Sequence, residues 1–228
     1  VVEMRDMDDH WEQADVVQRF AGREPDHRLQ ELVEDYPDPA QVRVLDAGCA
    51  GGRNTVFLAE GDFDVYAMDG SEAMVAETRR RTAPLLGQDE ARRRVLVGRM
   101  TDLPYDDESF ELVVSLGLLH NARSWEEWRQ AALETSRVLR TGGRLLFSQF
   151  TPRTDLTGEG LRRIPDEPYL YDGFPRGLAV LLEPDDLDRE MAAFGLHPET
   201  PTDVGVTKKE KGQRVSANAL YRKRNAGA

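Results

Sequence analysis

The strongest chemical signal in the chain is the run Val44-Leu-Asp-Ala-Gly-Cys-Ala-Gly-Gly-Arg53. An apolar segment leads into a glycine-rich turn, and a helical pattern follows. Such a turn binds ligands at the carboxyl end of a strand. Gly48 permits a tight turn, and Gly51 lets backbone approach a ligand closely. Asp69 closes the next apolar run, about 20 residues further on, the usual spacing for an acid that grips ribose hydroxyls. Two commoner ligands fit poorly. A dinucleotide fingerprint needs glycine at 48, 50 and 53, where the chain has Gly48, Ala50 and Arg53. No Gly-Lys-Ser/Thr follows a glycine-rich turn, so there is no P-loop.

Other reactive side chains are sparse. Cys49 stands near a helix start, where a thiol pKa falls. No base lies near it in sequence, so a small turn residue is the preferred reading. His120 follows an apolar run and is a candidate general base, with a supporting loop histidine as the equal alternative. His10, His27 and His197 are scattered without metal-ligand spacing, so no metal site is expected. One cysteine excludes an internal disulfide and a cysteine-rich zinc site.

These residues need a scaffold of alternating strands and helices. Helical periodicity covers 3–20 and 25–35, with Pro25 suited to a first turn. Strands are expected at 42–46, 63–68, 95–98, 110–116 and 144–150. Helices are expected at 51–60, at 71–81 capped by Ser71, and at 124–139. The last opens on the capping box Ser124-Trp-Glu-Glu127 and stops at Thr141-Gly-Gly143. Continuous apolar strands between helices imply an α/β fold with a parallel sheet covered on both faces. Residues 151–182, with four prolines and four glycines, read as an irregular loop. A helix at 184–194 and closing strands at 196–200 and 214–221 complete the pattern.

Composition narrows the partners. The 228 residues carry a net charge of −12, and 39% are hydrophobic, enough for one core. The acidity argues against nucleic acid, which needs a basic face. The final stretch 207–228 is the exception, with seven bases and one acid, Arg214 among the bases; it reads as a solvated strand with its preceding loop, and the alternative is a basic tail that touches an anionic ligand. No run approaches the ~18 apolar residues of a membrane span, and no leader pattern stands at the N-terminus; the expectation is a cytoplasmic protein.

Four motifs in order carry a family resemblance. Leu45-Asp-Ala-Gly-Cys-Ala-Gly51 resembles motif I of class I S-adenosylmethionine-dependent methyltransferases. Val65-Tyr-Ala-Met-Asp-Gly-Ser71 resembles their second-strand acidic motif. Met100-Thr-Asp-Leu-Pro-Tyr105, followed by Asp107-Glu-Ser-Phe-Glu-Leu-Val-Val114, resembles the adenine loop and fourth strand. Leu139-Arg-Thr-Gly-Gly-Arg-Leu145 resembles the turn into the fifth strand. The resemblance implies a single domain over 1–228 with a doubly wound, seven-stranded, mostly parallel sheet. The implied order is 3-2-1-4-5-7-6, with strand 7 antiparallel. Within it, 1–40 would be a helical N-terminal lid, 41–150 the cofactor core, 151–183 a substrate cap and 184–228 the closing helix and strands.

The resemblance also implies S-adenosyl-L-methionine as cofactor and assigns residues to it. Gly48, Cys49, Ala50 and Gly51 would line its methionine and ribose through backbone, with Asp46 near the ammonium. Asp69 would take both ribose hydroxyls, and Gly70, Ser71 and Met74 would lie against ribose or adenine. Asp102 would bind the adenine amino group between Thr101 and Leu103. Leu116, Gly117 and Leu118 would border the sulfonium, and Trp11 and Arg23 of the lid would close over the cofactor. Tyr169, Tyr171 and Phe174 would wall the acceptor, and Arg162 and Arg163 could meet an acidic one. Ser115-Leu-Gly-Leu-Leu-His120 is not the Asn/Asp-Pro-Pro-Tyr/Phe motif of planar-amine methylation, so the expected acceptor is a small molecule. Two alternatives stand beside this reading: a non-catalytic S-adenosylmethionine-binding regulator and a nucleotide-dependent oxidoreductase. The oligomeric state is left open.

Overall fold

The computed structural model describes residues 8–224. They fall into two units, 8–99 with Phe110–Leu112, and Met100–Ser109 with 113–224. In the first, the helix expected over 3–20 is two helices, α1 (Asp8–Glu12) and α2 (Ala14–Ala21). Gln13 between them is extended, with ψ 129°; residues 3–7 lie outside the described residues. α3 (His27–Leu32) is capped by the Asp26 carboxylate, which accepts from Arg28 N. Pro25 therefore precedes that helix instead of forming its first turn.

β1 (Arg43–Ala47), α4 (Arg53–Glu60), β2 (Asp64–Asp69) and α5 (Glu72–Leu86) follow the expected alternation. Ser71 caps α5 by accepting from Met74 N. α6 (Gln88–Arg94) was not expected, because Ala91 is its one buried residue and leaves no apolar stripe. Glu90 holds it by pairing with Arg93 and Arg94, and its first-turn acids and last-turn arginines suit the helix dipole. β3 (Val95–Val97) completes this unit. β2 lies parallel to both β1 and β3, with Asp46 opposite Ala67 and Asp69 opposite Val97.

β4 (Phe110–Leu116) begins in the first unit and ends in the second. α7 (Trp125–Val138) opens on the expected box: Ser124 Oγ accepts from Glu127 N, and the Glu127 carboxylate reaches back to Arg123 N. The expected stop at Thr141-Gly-Gly143 is not a turn after the helix. β5 (Leu139–Phe150) starts directly at Leu139, where Lys223 Nζ holds the Leu139 carbonyl and Glu108 holds Thr141.

Residues 151–183 form a small antiparallel sheet of β6 (Arg162–Arg163), β7 (Leu170–Phe174) and β8 (Gly177–Val180), not an irregular loop. Its strands are too short, and too rich in glycine, to show a period in the sequence. α8 (Pro184–Ala192) and β9 (Leu196–Pro198) follow. β10 (Asp203–Lys209) and β11 (Gly212–Lys223) then form a hairpin.

The main sheet runs β3-β2-β1-β4-β5-β11, with β9 and β10 both pairing with β11. β11 is antiparallel to β5. The expected 3-2-1-4-5-7-6 order is present, with β11 and β9 as strands 7 and 6. β10 is an eighth strand. It escaped notice because no residue of it is buried, so nothing marks a core face. Lys208 and Lys209 at its end suit an unpaired sheet edge. Among the described residues, no helix is long and apolar enough to cross a membrane.

Candidate cofactor and acceptor site

The glycine-rich turn leaves β1 and is tied on every side. Gly48 N and Cys49 N both donate to the Met68 carbonyl, at 2.8 and 3.0 Å. Ala50 N donates to Asp69 Oδ2 at 2.9 Å, and Thr78 Oγ1 donates to the Ala50 carbonyl at 2.7 Å. Gly48 and Gly52 have φ of 77° and 78°, values glycine adopts without strain. Ala50 has φ 48°, so a side chain occupies the left-handed region where a dinucleotide loop would carry glycine.

Gly51 has a packing duty. A Cβ there would stand 2.7 Å from the backbone nitrogen and Cβ of Ala21, so the end of α2 makes a close approach at this glycine. We expect Gly51→Ala to cost roughly 1–3 kcal/mol through overpacking, read as a fall in melting temperature. Gly70→Ala is the control. It is exposed, its Cβ would meet only the Gly98 carbonyl at 3.7 Å, and its stability should stay within about 1 kcal/mol of the parent.

The two acids of this unit differ. Asp46 is 2% exposed and accepts from Thr55 Oγ1 at 2.6 Å. Burial raises its pKa to about 6, against the opposing Thr55 bond and Arg53 charge. Asp69 is partly exposed, and one oxygen accepts from Ala50 N while the other accepts from Ser71 N. Its pKa is raised by desolvation, against three backbone hydrogen bonds. Ser71, not Asp69, caps α5. Beside these backbone bonds the carboxylate, with about four acceptor sites, keeps room for a ribose hydroxyl.

Several assigned residues have structural duties. Met74 is fully buried with Val16 and Val17, beside Trp11, Phe20 and Ala50, so it anchors the N-terminal helices. Ser71 Oγ donates to the Trp11 carbonyl, and Glu12 accepts from Ala73 N. The Trp11 ring meets Phe20 edge-on at 5.3 Å, and the Arg23 guanidinium lies 4.0 Å from the Phe20 ring centre. Cys49 is buried, and burial beside Asp69 and Asp46 raises its thiol pKa well above the usual value, the opposite of an activated nucleophile.

In the second unit, the loop after Met100 is pinned by α7. Glu134 accepts from Leu103 N, and Arg137 donates to the Leu103 and Tyr105 carbonyls. Leu103 is buried, whereas Asp102 is exposed and its carboxylate has no partner among the described residues. Gln130 Nε2 reaches the Thr101 carbonyl at 3.4 Å. Past β4, Gly117 has φ 82°, and Asn121 Nδ2 donates to the Gly117 and Leu118 carbonyls. Leu116, Gly117 and Leu118 are half-buried.

His120 is 2% exposed, stacked 4.3 Å from Phe150 and edge-on to Phe174 at 5.9 Å. Burial and the Arg176 charge lower its pKa to about 3, so the imidazole is neutral and a weak base. A base with a lowered folded pKa stabilises above its unfolded value near 6.5 and loses that contribution as pH falls toward 3. The His120 imidazole NMR signals should therefore show no titration between pH 5 and 8; a midpoint in that window would restore the general-base reading.

The cap aromatics separate. Phe174 and Tyr171 join Phe150, Leu156 and Leu161 in one cluster. Tyr169 packs instead on Trp125 at 4.9 Å, and its hydroxyl bonds Arg189 and Glu190. Arg162 pairs with Asp172, while Arg163 is exposed. Sequence reasoning missed Thr55, Thr78, Asn121 and Arg176. They lie outside the glycine and acid motifs, Thr55 and Thr78 in the first unit and Asn121 and Arg176 in the second.

This geometry is the class I, S-adenosylmethionine-dependent methyltransferase fold. Residues 44–143 match the model of a methyltransferase domain family. The chain is 38% identical over 123 residues to the demethylmenaquinone methyltransferase of Clavibacter sepedonicus, covering 53% of this chain and 46% of that protein. It is 30% identical over 177 residues to the 27-O-demethylrifamycin SV methyltransferase of Amycolatopsis mediterranei, covering 74% and 58%. The chain thus spans about half the length of the curated relatives it matches. Among solved structures, the Burkholderia thailandensis 1,6-didemethyltoxoflavin-N1-methyltransferase, with S-adenosylhomocysteine bound, shares the fold at TM-score 0.64 and 20% identity, covering 95% of this chain and 82% of that one.

Proposed function

We propose that this protein transfers the methyl group of S-adenosylmethionine to a small-molecule acceptor. The observation that carries the reading is the state of the glycine-rich turn. Its Gly48, Cys49 and Ala50 N–H groups are already bonded within the protein, so they cannot cradle a pyrophosphate. What the turn offers is two carboxylates, Asp46 and Asp69, which suit a ligand bearing an ammonium, a sulfonium and ribose hydroxyls. The residues fit the cofactor on this ground.

In this reading Asp69 holds the ribose and Asp46 acts through its charge on the ammonium. Asp102, with Thr101 and Leu103, takes the adenine, and the backbone at Gly70 and at 116–118 borders the cofactor. The bound cofactor supplies an electrophilic methyl group. The chain contributes alignment and exclusion of water, with no proton relay required. Phe174 and Tyr171 of the cap face the acceptor, whereas Tyr169 supports the cap from its other side. Both named relatives are methyltransferases whose names give low-molecular-weight acceptors, which supports the same class here.

The test is incubation with methyl-tritiated S-adenosylmethionine and separate small-molecule, RNA, DNA and protein fractions of a bacterial extract. Label is expected in the small-molecule fraction. Label in a macromolecular fraction would contradict the acceptor class, and saturating cofactor binding with no labelled product would favour a regulator.

A further inference from the structure

The cluster around Phe150 holds polar groups that the cofactor reading does not use. His120 Nδ1 is buried and has no partner among the described residues. Such an orphaned group costs about 1–3 kcal/mol, which a ligand hydrogen bond would recover. Arg214, half-buried on β11, stands 6.0 Å from the same Phe150 ring. It has no carboxylate partner among the described residues, in a chain with 42 acids and 30 bases. Phe174 packs on Phe150 at 5.6 Å, and Arg176 stands 5.8 Å from Phe174 and donates to Asn121 Oδ1 at 3.3 Å. Two guanidinium groups and one neutral imidazole therefore lie against the paired rings of Phe150 and Phe174.

We propose that the acceptor is an apolar, ring-bearing acid bound as its oxygen anion, with Arg214 and His120 Nδ1 meeting the anionic oxygen. Phe150, Phe174 and Tyr171 take the ring, and Arg176 adds positive charge from the cap. The proposal rests on the methyltransferase reading above.

The chemistry balances without a base. A lone pair of the anionic oxygen forms the new bond to the methyl carbon. The carbon–sulfur bond breaks with its pair left on sulfur, so a cation and an anion become a neutral thioether and a neutral methyl ester or ether. No proton moves. That suits a patch whose guanidinium groups and weakly basic imidazole cannot accept a proton at neutral pH. The same charges repel a protonated amine.

The test uses the full chain loaded with S-adenosylhomocysteine and titrated with 1-naphthoate and with 1-naphthamide, its uncharged counterpart. Naphthoate should bind at least about tenfold more tightly. Arg214→Gln should erase that preference, Arg214→Lys should keep part of it, and S-adenosylhomocysteine affinity and melting temperature should stay unchanged in both variants. Equal binding of the two probes, no binding of naphthoate, or an undiminished preference in Arg214→Gln would overturn the proposal. Failure of the parent protein to bind S-adenosylhomocysteine would instead overturn the reading beneath it.

Discussion

Replacing Asp69 with alanine should weaken S-adenosylhomocysteine binding at least about tenfold, measured by calorimetry. A hydrogen bond to a charged acceptor contributes roughly 1.5–3 kcal/mol, and the ribose would place two on this carboxylate. The carboxylate also receives Ala50 N and Ser71 N, so the alanine variant loosens the glycine-rich turn itself. Asp69→Asn keeps one acceptor oxygen and should be milder. An alanine variant that folds and binds with parental affinity would reduce Asp69 to a brace for the turn.

The second large effect is a trade between stability and binding at Asp46. Its folded pKa is raised to about 6 from 3.8, so the fold prefers the protonated acid. The sign follows: this contribution to stability is fully present below about pH 3.8 and is lost as pH rises through 6. A tenfold change in a protonation equilibrium corresponds to about 1.4 kcal/mol, so the loss between about pH 4 and 7 comes to about 2 kcal/mol. Asp46→Asn has no such charge to bury. Its stability relative to the parent should therefore improve by about that amount over the same range, followed by denaturant unfolding at several pH values. Its affinity for S-adenosylmethionine should fall several-fold if, as proposed, the Asp46 charge acts on the ammonium. A constant stability difference across pH would show that Asp46 does not titrate in this window.

The motif residues were legible because their chemistry and their place in the fold coincide. Gly48 must turn, Asp69 must end a strand, and Ser71 and Ser124 must cap helices; each requirement leaves a residue type at a fixed offset. β4 was read to the residue because a largely apolar run stands between the polar stretch 106–109 and the turn glycine Gly117. What was not legible depends on contacts distant in sequence. Gly51 answers to Ala21, and Met74 to Val16 and Val17, packing partners that no motif in the sequence announces. Tyr169 and Tyr171 are two residues apart, yet one packs on Trp125 and the other joins the Phe150 cluster. α6 and β10 carry almost no buried surface, so neither prints a period. Arg214 sits in a basic run that reads as solvated until β11 carries it over Phe150.

The central claim is that the turn between β1 and α4 takes an adenosyl cation and not a dinucleotide. Calorimetric titration of the full chain with S-adenosylmethionine, S-adenosylhomocysteine and NADH tests it directly. The account predicts saturable one-to-one binding of both adenosyl ligands and no heat from NADH. Binding of NADH with no response to either adenosyl ligand would contradict it.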